Sequence, residues 1–110
     1  MIPYGWPVTR LARVRVVRYA PGRMFVWHLR ECRGRSGLLA VVKPDPDVVR
    51  GGWSVTHVPS GLAAISGLTL QRAKAAMRAL ADLDWPDKED PTAEDLAGVY
   101  DEVRKYRWKS

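Results

Sequence analysis

The sequence predicts one small α+β domain, with a four- to five-stranded antiparallel sheet packed by one amphipathic helix and followed by a C-terminal helix. Two observations carry this prediction. In residues 9–65, apolar and polar residues alternate over short runs separated by Gly and Pro, which is typical of half-buried strands. After Thr69 the apolar residues recur instead at helical spacing, and the Thr69 hydroxyl is suited to cap the first turn of a helix.

Length and composition are those of a globular protein. The 110 residues suffice for one domain with a modest core, and 46% hydrophobic with 27% charged residues is an ordinary balance. No apolar run approaches the roughly 18 residues of a membrane span, and the beginning, MIPYGWPVTR, lacks the apolar segment of a secretory signal. The lone Cys32 agrees with a reducing compartment. We therefore expect a cytoplasmic protein that contacts no membrane.

Residues 1–8 are expected to form an irregular N-terminal arm, because Gly and Pro interrupt them, and residues 9–110 to form the single domain. Within the domain, alternating runs at 9–19 and 24–32 flank Pro21-Gly22. These runs predict an antiparallel β-hairpin with its turn at the Pro-Gly pair.

A hairpin register centred on Pro21-Gly22 makes the two alternations agree. Its predicted buried face pairs apolar residues: Val14 with Leu29, and Val16 with Trp27. Its predicted exposed face pairs basic residues: Arg13 with Arg30, and Arg15 with His28. Because like charges directly opposite each other are unfavourable, something negative is expected near this face.

Turn residues separate the strands that are predicted after the first hairpin, and the predicted sheet ends at residue 65. Residues 33–37 are predicted to form a basic loop, and the uninterrupted apolar run at 38–42 a strand covered on both faces. Residues 53–58 and 62–65 follow as two further strands around a Pro-Ser-Gly turn.

Two helices are predicted after the sheet. The first spans residues 69–84 and ends there because a proline follows closely. Residues 85–91 form an acidic linker. The second helix spans residues 92–108, and its start, Thr92-Ala93-Glu94-Asp95, resembles a capping box.

Charge is distributed unevenly along the chain. The formal net charge is +6, but residues 1–43 contain nine Lys or Arg and one acid, whereas residues 82–102 contain nine acids and one Lys. Such asymmetry indicates either an anionic partner or charge pairing between the two segments.

The basic face of the first hairpin and the loop that follows it form the predicted binding site. Arginines there are suited to contact phosphates, and a tyrosine to stack on a base. The predicted nucleic-acid-binding residues are Arg13, Arg15, Arg30, Arg33, Arg35, Tyr19 and His28. The function expected from them is non-catalytic nucleic-acid binding, to DNA rather than RNA, by a small basic protein of regulatory kind.

Other interpretations of these residues stay open. The acidic segment 82–102 could fold across the basic face and neutralise it. The alternating charges also suit a protein-interaction module, such as a phage host-takeover factor or a homodimer. A small nuclease using His28 or His57 is least favoured, because no paired carboxylates lie near either residue in sequence. No enzyme activity and no cofactor are expected. A metal site formed by His28, Cys32 and His57 is not expected either, since His28 and Cys32 would lie about 13 Å apart on one strand.

Two features resemble known proteins. The stretch WSVTHVPSGL, residues 53–62, and a composition with 13 Arg to 5 Lys are similar to those of small uncharacterised actinobacterial and actinophage proteins. The order of sheet then helix over residues 9–83, with Leu68-Thr69-x-x-x-Ala73 at the helix start, resembles the AP2-type and integrase-arm DNA-binding domains. That resemblance implies a sheet placed in the DNA major groove, although the strand at 62–65 departs from their three-strand plan. It transfers no residue roles to this chain.

Overall fold

The structure, a computed structural model, describes residues 10–18, 24–44 and 51–109. They form a five-stranded antiparallel sheet, in which each strand pairs with the next along the chain, and two helices. The α+β class is therefore confirmed, whereas the predicted arm at 1–8 and the Pro21-Gly22 turn lie outside the described residues. The elements are β1 (Arg10–Arg18), β2 (Met24–Ser36), β3 (Leu39–Val42), β4 (Trp53–His57), β5 (Leu62–Leu68), α1 (Leu70–Leu80) and α2 (Ala93–Lys109).

β2 is longer than predicted. The sequence suggests a strand that ends at Cys32 and a basic loop at 33–37, but the strand continues to Ser36. The register with β3 shifts after Cys32, and Gly34 takes a φ of 151° there. A Cβ at Gly34 would already lie 3.4 Å from the Met77 side chain of α1. Gly34, which indicates a loop in the sequence, thus lies in a β-bulge. Because it has no side chain, β2 can pass close to α1 there.

The register of the first hairpin differs by one residue from the predicted register. In the structure Arg13 pairs with Leu29, Val14 with His28, and Arg15 with Trp27. An odd number of residues connects the last pair, Arg18 and Met24, so the hairpin is centred on one residue rather than between two. The predictions that are wrong for this reason are the pairs Val14–Leu29, Val16–Trp27, Arg13–Arg30 and Arg15–His28.

The sheet has an apolar core on each of its faces. One core contains Leu39 and Val41 of β3 and Val55 of β4, all of which face α1. The other, on the opposite face, contains Ala12, Cys32, Ala40 and Val42. β3 is therefore buried on both faces, as predicted. Because both faces are apolar in part, the alternation within β2 could not reveal which of its rows joins the apolar row of β1.

α1 begins as predicted and ends earlier. β5 continues to Leu68, beyond its predicted end, and the Oγ1 of Thr69 then accepts the Arg72 N–H at 3.2 Å, which confirms the N-cap. The helix ends at Leu80 rather than at residue 84. The Leu80 carbonyl accepts the Leu83 N–H at 3.2 Å and the N–H of the buried Trp85 indole at 2.8 Å, so it is paired without a further helical turn.

α2 lies against β5 and α1. Its capping box is confirmed, because the Asp95 N–H donates to Thr92 Oγ1 at 3.1 Å and the Thr92 N–H donates to Asp95 Oδ2 at 2.9 Å. These bonds hold the pKa of Asp95 below its ordinary value. The apolar stripe of the helix, Leu96, Val99 and Val103, is buried. α2 therefore packs on the same apolar core as α1.

The close approach of two glycine backbones predicts a steric penalty. In Gly52→Ala the added Cβ would lie 2.5 Å from the carbonyl carbon of Gly67. Neither backbone can move apart easily, because the next residues, Trp53 and Leu68, pair across β4 and β5. We expect the variant to lose about 1–3 kcal/mol of unfolding free energy, as other overpacked sites do. Urea denaturation measures this loss.

Gly98→Ala is the matched control. Gly98 lies within α2, and a Cβ there would meet nothing within 4 Å. This variant should gain about 0.5–1 kcal/mol, because alanine loses less backbone entropy than glycine in a helix. Equal stabilities of the two variants would contradict the close glycine contact.

Candidate functional site

One face of the first hairpin forms the candidate site. Paired residues share a face of a sheet, so the register brings alternate residues of β1 and β2 together on the side that α1 covers elsewhere. An ion pair with Glu31 adds Lys43, which directly follows β3. This surface, called the hairpin shelf below, consists of Leu11, Arg13, Trp27, Leu29, Glu31, Arg33 and Lys43.

Two arginines of the hairpin shelf lie over tryptophan rings. The guanidinium carbon of Arg13 is 4.6 Å from the ring centroid of Trp27, and that of Arg33 is 5.9 Å from the ring centroid of Trp53. Each such contact contributes about 0.5–1 kcal/mol at an exposed site. Trp27 was predicted to be a core residue, but the changed register makes it a half-buried support for Arg13.

The hairpin shelf carries three cations and one carboxylate. Glu31 Oε2 lies 3.6 Å from both Arg33 and Lys43, whose side chains are more than half exposed. The same oxygen is buried and accepts no hydrogen bond in the described part of the chain. Arg13 forms no ion pair among the described residues, so one carboxylate serves the whole shelf. The local potential is therefore positive and favours an anion.

Three of the other predicted site residues lie on the face of the sheet opposite the hairpin shelf. Arg30 pairs with Ala12 and His28 with Val14, so both lie on the opposite face of the sheet. Arg35 pairs with Ala40 on that same opposite face, and its Nε donates to the Gly37 carbonyl at 3.5 Å. Arg15 is paired with Trp27 through its backbone, but its side chain and the whole of Tyr19 lie outside the described part of the structure. Lys43 and the ring of Trp53 were missed, because only the fold brings them to the hairpin.

The acidic segment approaches the hairpin without an ion pair to Arg13. Asp87 lines a cleft of about 470 Å³ together with Arg13 and Arg35, yet it forms no ion pair with any described residue. The acids that do form described ion pairs have partners within the segment or on α2: Asp95 with Lys88, Asp101 with Arg104, and Glu102 with Lys105. Direct neutralisation of Arg13 by this segment is therefore not seen.

A second polar cluster surrounds His57 at the end of β4. His57 Nδ1 lies 2.7 Å from Ser60 Oγ, and Nε2 lies 2.7 Å from the Pro86 carbonyl oxygen. Because the carbonyl can only accept, Nε2 carries the proton and Nδ1 accepts the Ser60 hydroxyl. The imidazole also stacks on Trp85 with a centroid separation of 5.5 Å.

A serine hydroxyl bonded to an imidazole resembles an activated nucleophile, but burial decides its role here. His57 is 2% exposed and Ser60 is 1% exposed, so no substrate atom can approach the hydroxyl in this conformation. Ser60 Oγ also accepts the Leu62 N–H at 3.3 Å. The cluster therefore fastens the linker at Pro86 to the turn between β4 and β5. The contact with Pro86 could not be assigned from sequence spacing, since Pro86 lies 29 residues from His57 along the chain.

The described residues form neither a metal site nor a membrane span, and the chain is not significantly similar to known proteins. Within residues 10–18, 24–44 and 51–109, no three His, Cys, Asp or Glu side chains are placed to hold one metal ion. No helix there is long and apolar enough to cross a membrane. No protein-family model matches the chain, and no curated protein or solved structure matches it significantly. Function is therefore inferred from the geometry and charge of the chain's own residues.

The buried imidazole predicts a pH-dependent stability. Burial lowers the pKa of His57 below its ordinary value of 6.5, although the Pro86 carbonyl and the Asp87 carboxylate act in the opposite direction. As the pH falls below 6.5, the unfolded chain binds a proton at His57 before the folded protein does. The contribution of this residue to stability is therefore complete above that pH and declines towards the lowered folded pKa.

An NMR titration of the imidazole carbon protons should give a His57 midpoint below 6.5. The unfolding free energy of the protein should also fall more between neutral pH and pH of about 5.5 than that of His57→Gln, which lacks the titrating group. A His57 midpoint at or above the ordinary value would contradict the buried, neutral imidazole.

Proposed function

We propose that this protein is a non-catalytic nucleic-acid-binding protein whose contact surface is the hairpin shelf. The observation that carries the proposal is the combination of three cations, a single carboxylate and two arginine–tryptophan stacks on one face of the sheet. Phosphate oxygens are the anions that guanidinium groups bind best, because two N–H groups of one plane match two oxygens.

The tryptophan contacts of Arg13 and Arg33 favour binding of these arginines to a phosphate. A guanidinium that lies over an indole keeps its N–H groups at the edge of its plane, where they remain available to a phosphate. The ring also restricts the side chain, so less rotamer entropy is lost on binding.

The face opposite the hairpin shelf is less suited to the same ligand. Arg30, His28 and Arg35 lie on that face, where Ala12, Cys32, Ala40 and Val42 form a buried cluster. A nucleic acid that contacts the shelf would therefore meet only part of the basic residues of the hairpin. The residues proposed to contact phosphate are Arg13, Arg33 and Lys43, with Arg15 next to them by register.

Salt dependence of binding provides the first test. Contact with three phosphates gives a slope of about −3 for log affinity against log salt concentration. In Arg13→Ala/Arg33→Ala the slope should become shallower by about two and the affinity at low salt should fall, because two phosphate contacts are lost. Fluorescence anisotropy with a labelled DNA duplex, a DNA single strand and the corresponding RNAs measures both quantities and identifies the preferred form.

The matched control removes the same formal charge elsewhere. Arg104 and Lys105 lie exposed on α2 and pair locally with Asp101 and Glu102. Arg104→Ala/Lys105→Ala should keep the slope of the unmodified protein. Equal losses in the two double variants would show that net charge alone attracts the nucleic acid. Absence of binding at low salt by the unmodified protein would overturn the proposed function.

Two exposed leucines support a second candidate, a protein-interaction module that forms a homodimer. Leu11 is 56% exposed and Leu29 is 61% exposed, although Leu29 was predicted to be buried. Both flank Arg13 on the hairpin shelf, beside Trp27, and arginine and tryptophan are enriched at interface hot spots. The shelf would then be covered by the shelf of a second copy.

Light scattering over a range of protein concentrations tests this candidate. The unmodified protein should reach the mass of a dimer, and Leu11→Ser/Leu29→Ser should remain monomeric because the apolar contact is lost. A monomer at every concentration would exclude the homodimer. Unchanged DNA binding by the leucine variant would separate the two functions.

A further inference from the structure

A second concave site lies on a different part of the molecule, between β5, α1 and α2. It is a cleft of about 250 Å³ with an apolar part formed by Ile65, Leu68 and Ala75. Its polar lining residues are Ser66, Arg72, Tyr106 and Arg107. None of these residues belongs to the hairpin shelf, so the cleft is independent of the function proposed above.

The polar lining of the cleft is suited to an anion. Arg72 supplies a cation, and no acid is among the described lining residues. The first turn of α1, which contains Arg72, also has no acidic residue, so the positive end of that helix dipole is not offset locally. Ser66 and Tyr106 add hydroxyl groups, which donate to carboxylate oxygens. The described lining of the cleft therefore offers a guanidinium and two hydroxyl groups to an anion and contains no carboxylate.

The apolar part of the cleft defines the rest of the ligand. Ile65 is buried and Leu68 is half-buried, whereas Ala75 leaves open space beside them because its side chain is one methyl group. A cleft of this size admits one small molecule rather than a polymer. We propose that it binds a small organic carboxylate with a compact apolar body, its carboxylate at Arg72 and its apolar body against Ile65 and Leu68.

Such a ligand would connect three elements. Arg72 and Ala75 belong to α1, Tyr106 and Arg107 to α2, and Ile65 and Leu68 to β5. A molecule that touches all three binds the folded protein and not the unfolded chain, so it stabilises the protein in proportion to its occupancy. Binding is thus detectable both directly and as an increase in Tm.

Benzoate is the probe for the first experiment. It combines a carboxylate with a compact apolar ring, whereas benzyl alcohol lacks the charge and inorganic phosphate lacks the ring. NMR titration should shift the amide signals of the lining residues with benzoate and much less with either control. Equal shifts with phosphate would show that the cleft binds anions nonspecifically. Equal shifts with benzyl alcohol would show that Arg72 does not recognise the carboxylate. Either result overturns the proposal.

Two variants with matched controls locate the site. Arg72→Ala should weaken benzoate binding about tenfold, as expected when a hydrogen bond to a charged group is lost, while Arg78→Ala on the same helix should not. Ala75→Leu should block binding by filling the cleft, while Ala79→Leu should leave it unchanged, since residues 75 and 79 are both exposed and only Ala75 lines the cleft. Because both alanines are exposed, each variant is expected to fold. Absence of any benzoate-dependent shift or Tm increase in the unmodified protein would refute the site.

Discussion

The pairing register of β1 with β2 is the constraint on which the surface of this protein depends. Side chains alternate along a strand, so a shift of one residue would exchange every β2 side chain between the two faces of the sheet. In the observed register Arg13 lies opposite Leu29 and over Trp27, and Arg30 lies on the other face. The repulsion expected from directly opposed arginines is therefore absent. In its place the hairpin has guanidinium–indole contacts, which hold cationic side chains at the surface without requiring a carboxylate for each of them.

The same register shows which parts of the fold could be predicted and which could not. The Thr69 cap and the Thr92 capping box are contacts between residues close in sequence, so local pattern was sufficient to find them. The alternation also showed correctly which residues of β1 share one face and which residues of β2 share one face. Their relative orientation was not, because alternation fixes it only in a sheet with one buried face, and this sheet has an apolar cluster on each face. Arg30 and His28 lie on the opposite face for that reason.

Side-chain contacts account for the other differences. The apolar spacing after Thr69 continues to Leu83, which favours a longer helix, but the Leu80 carbonyl instead accepts the Leu83 N–H and the Trp85 indole N–H. The same ring stacks on His57, whose Nε2 bonds the Pro86 carbonyl. The linker is thus attached to the sheet through two side chains whose partners are distant in sequence. No periodicity or spacing rule signals such contacts, although a buried histidine with two hydrogen-bonded nitrogens explains why the linker follows one path.

The attachment of the linker also bears on the uneven charge of the chain. The His57 cluster places Asp87 at a cleft shared with Arg13, yet the described ion pairs of the acidic segment are formed with cations a few residues away. Local pairs of this kind satisfy the acids of α2 in the geometry of their own helix, where exposed pairs contribute a few tenths of a kcal/mol. At physiological salt the remaining attraction between exposed charges is screened beyond about 8 Å. Arg13 therefore has no acidic partner among the described residues although the acidic and basic segments nearly balance, because charges neutralise each other where side chains meet and not where totals agree.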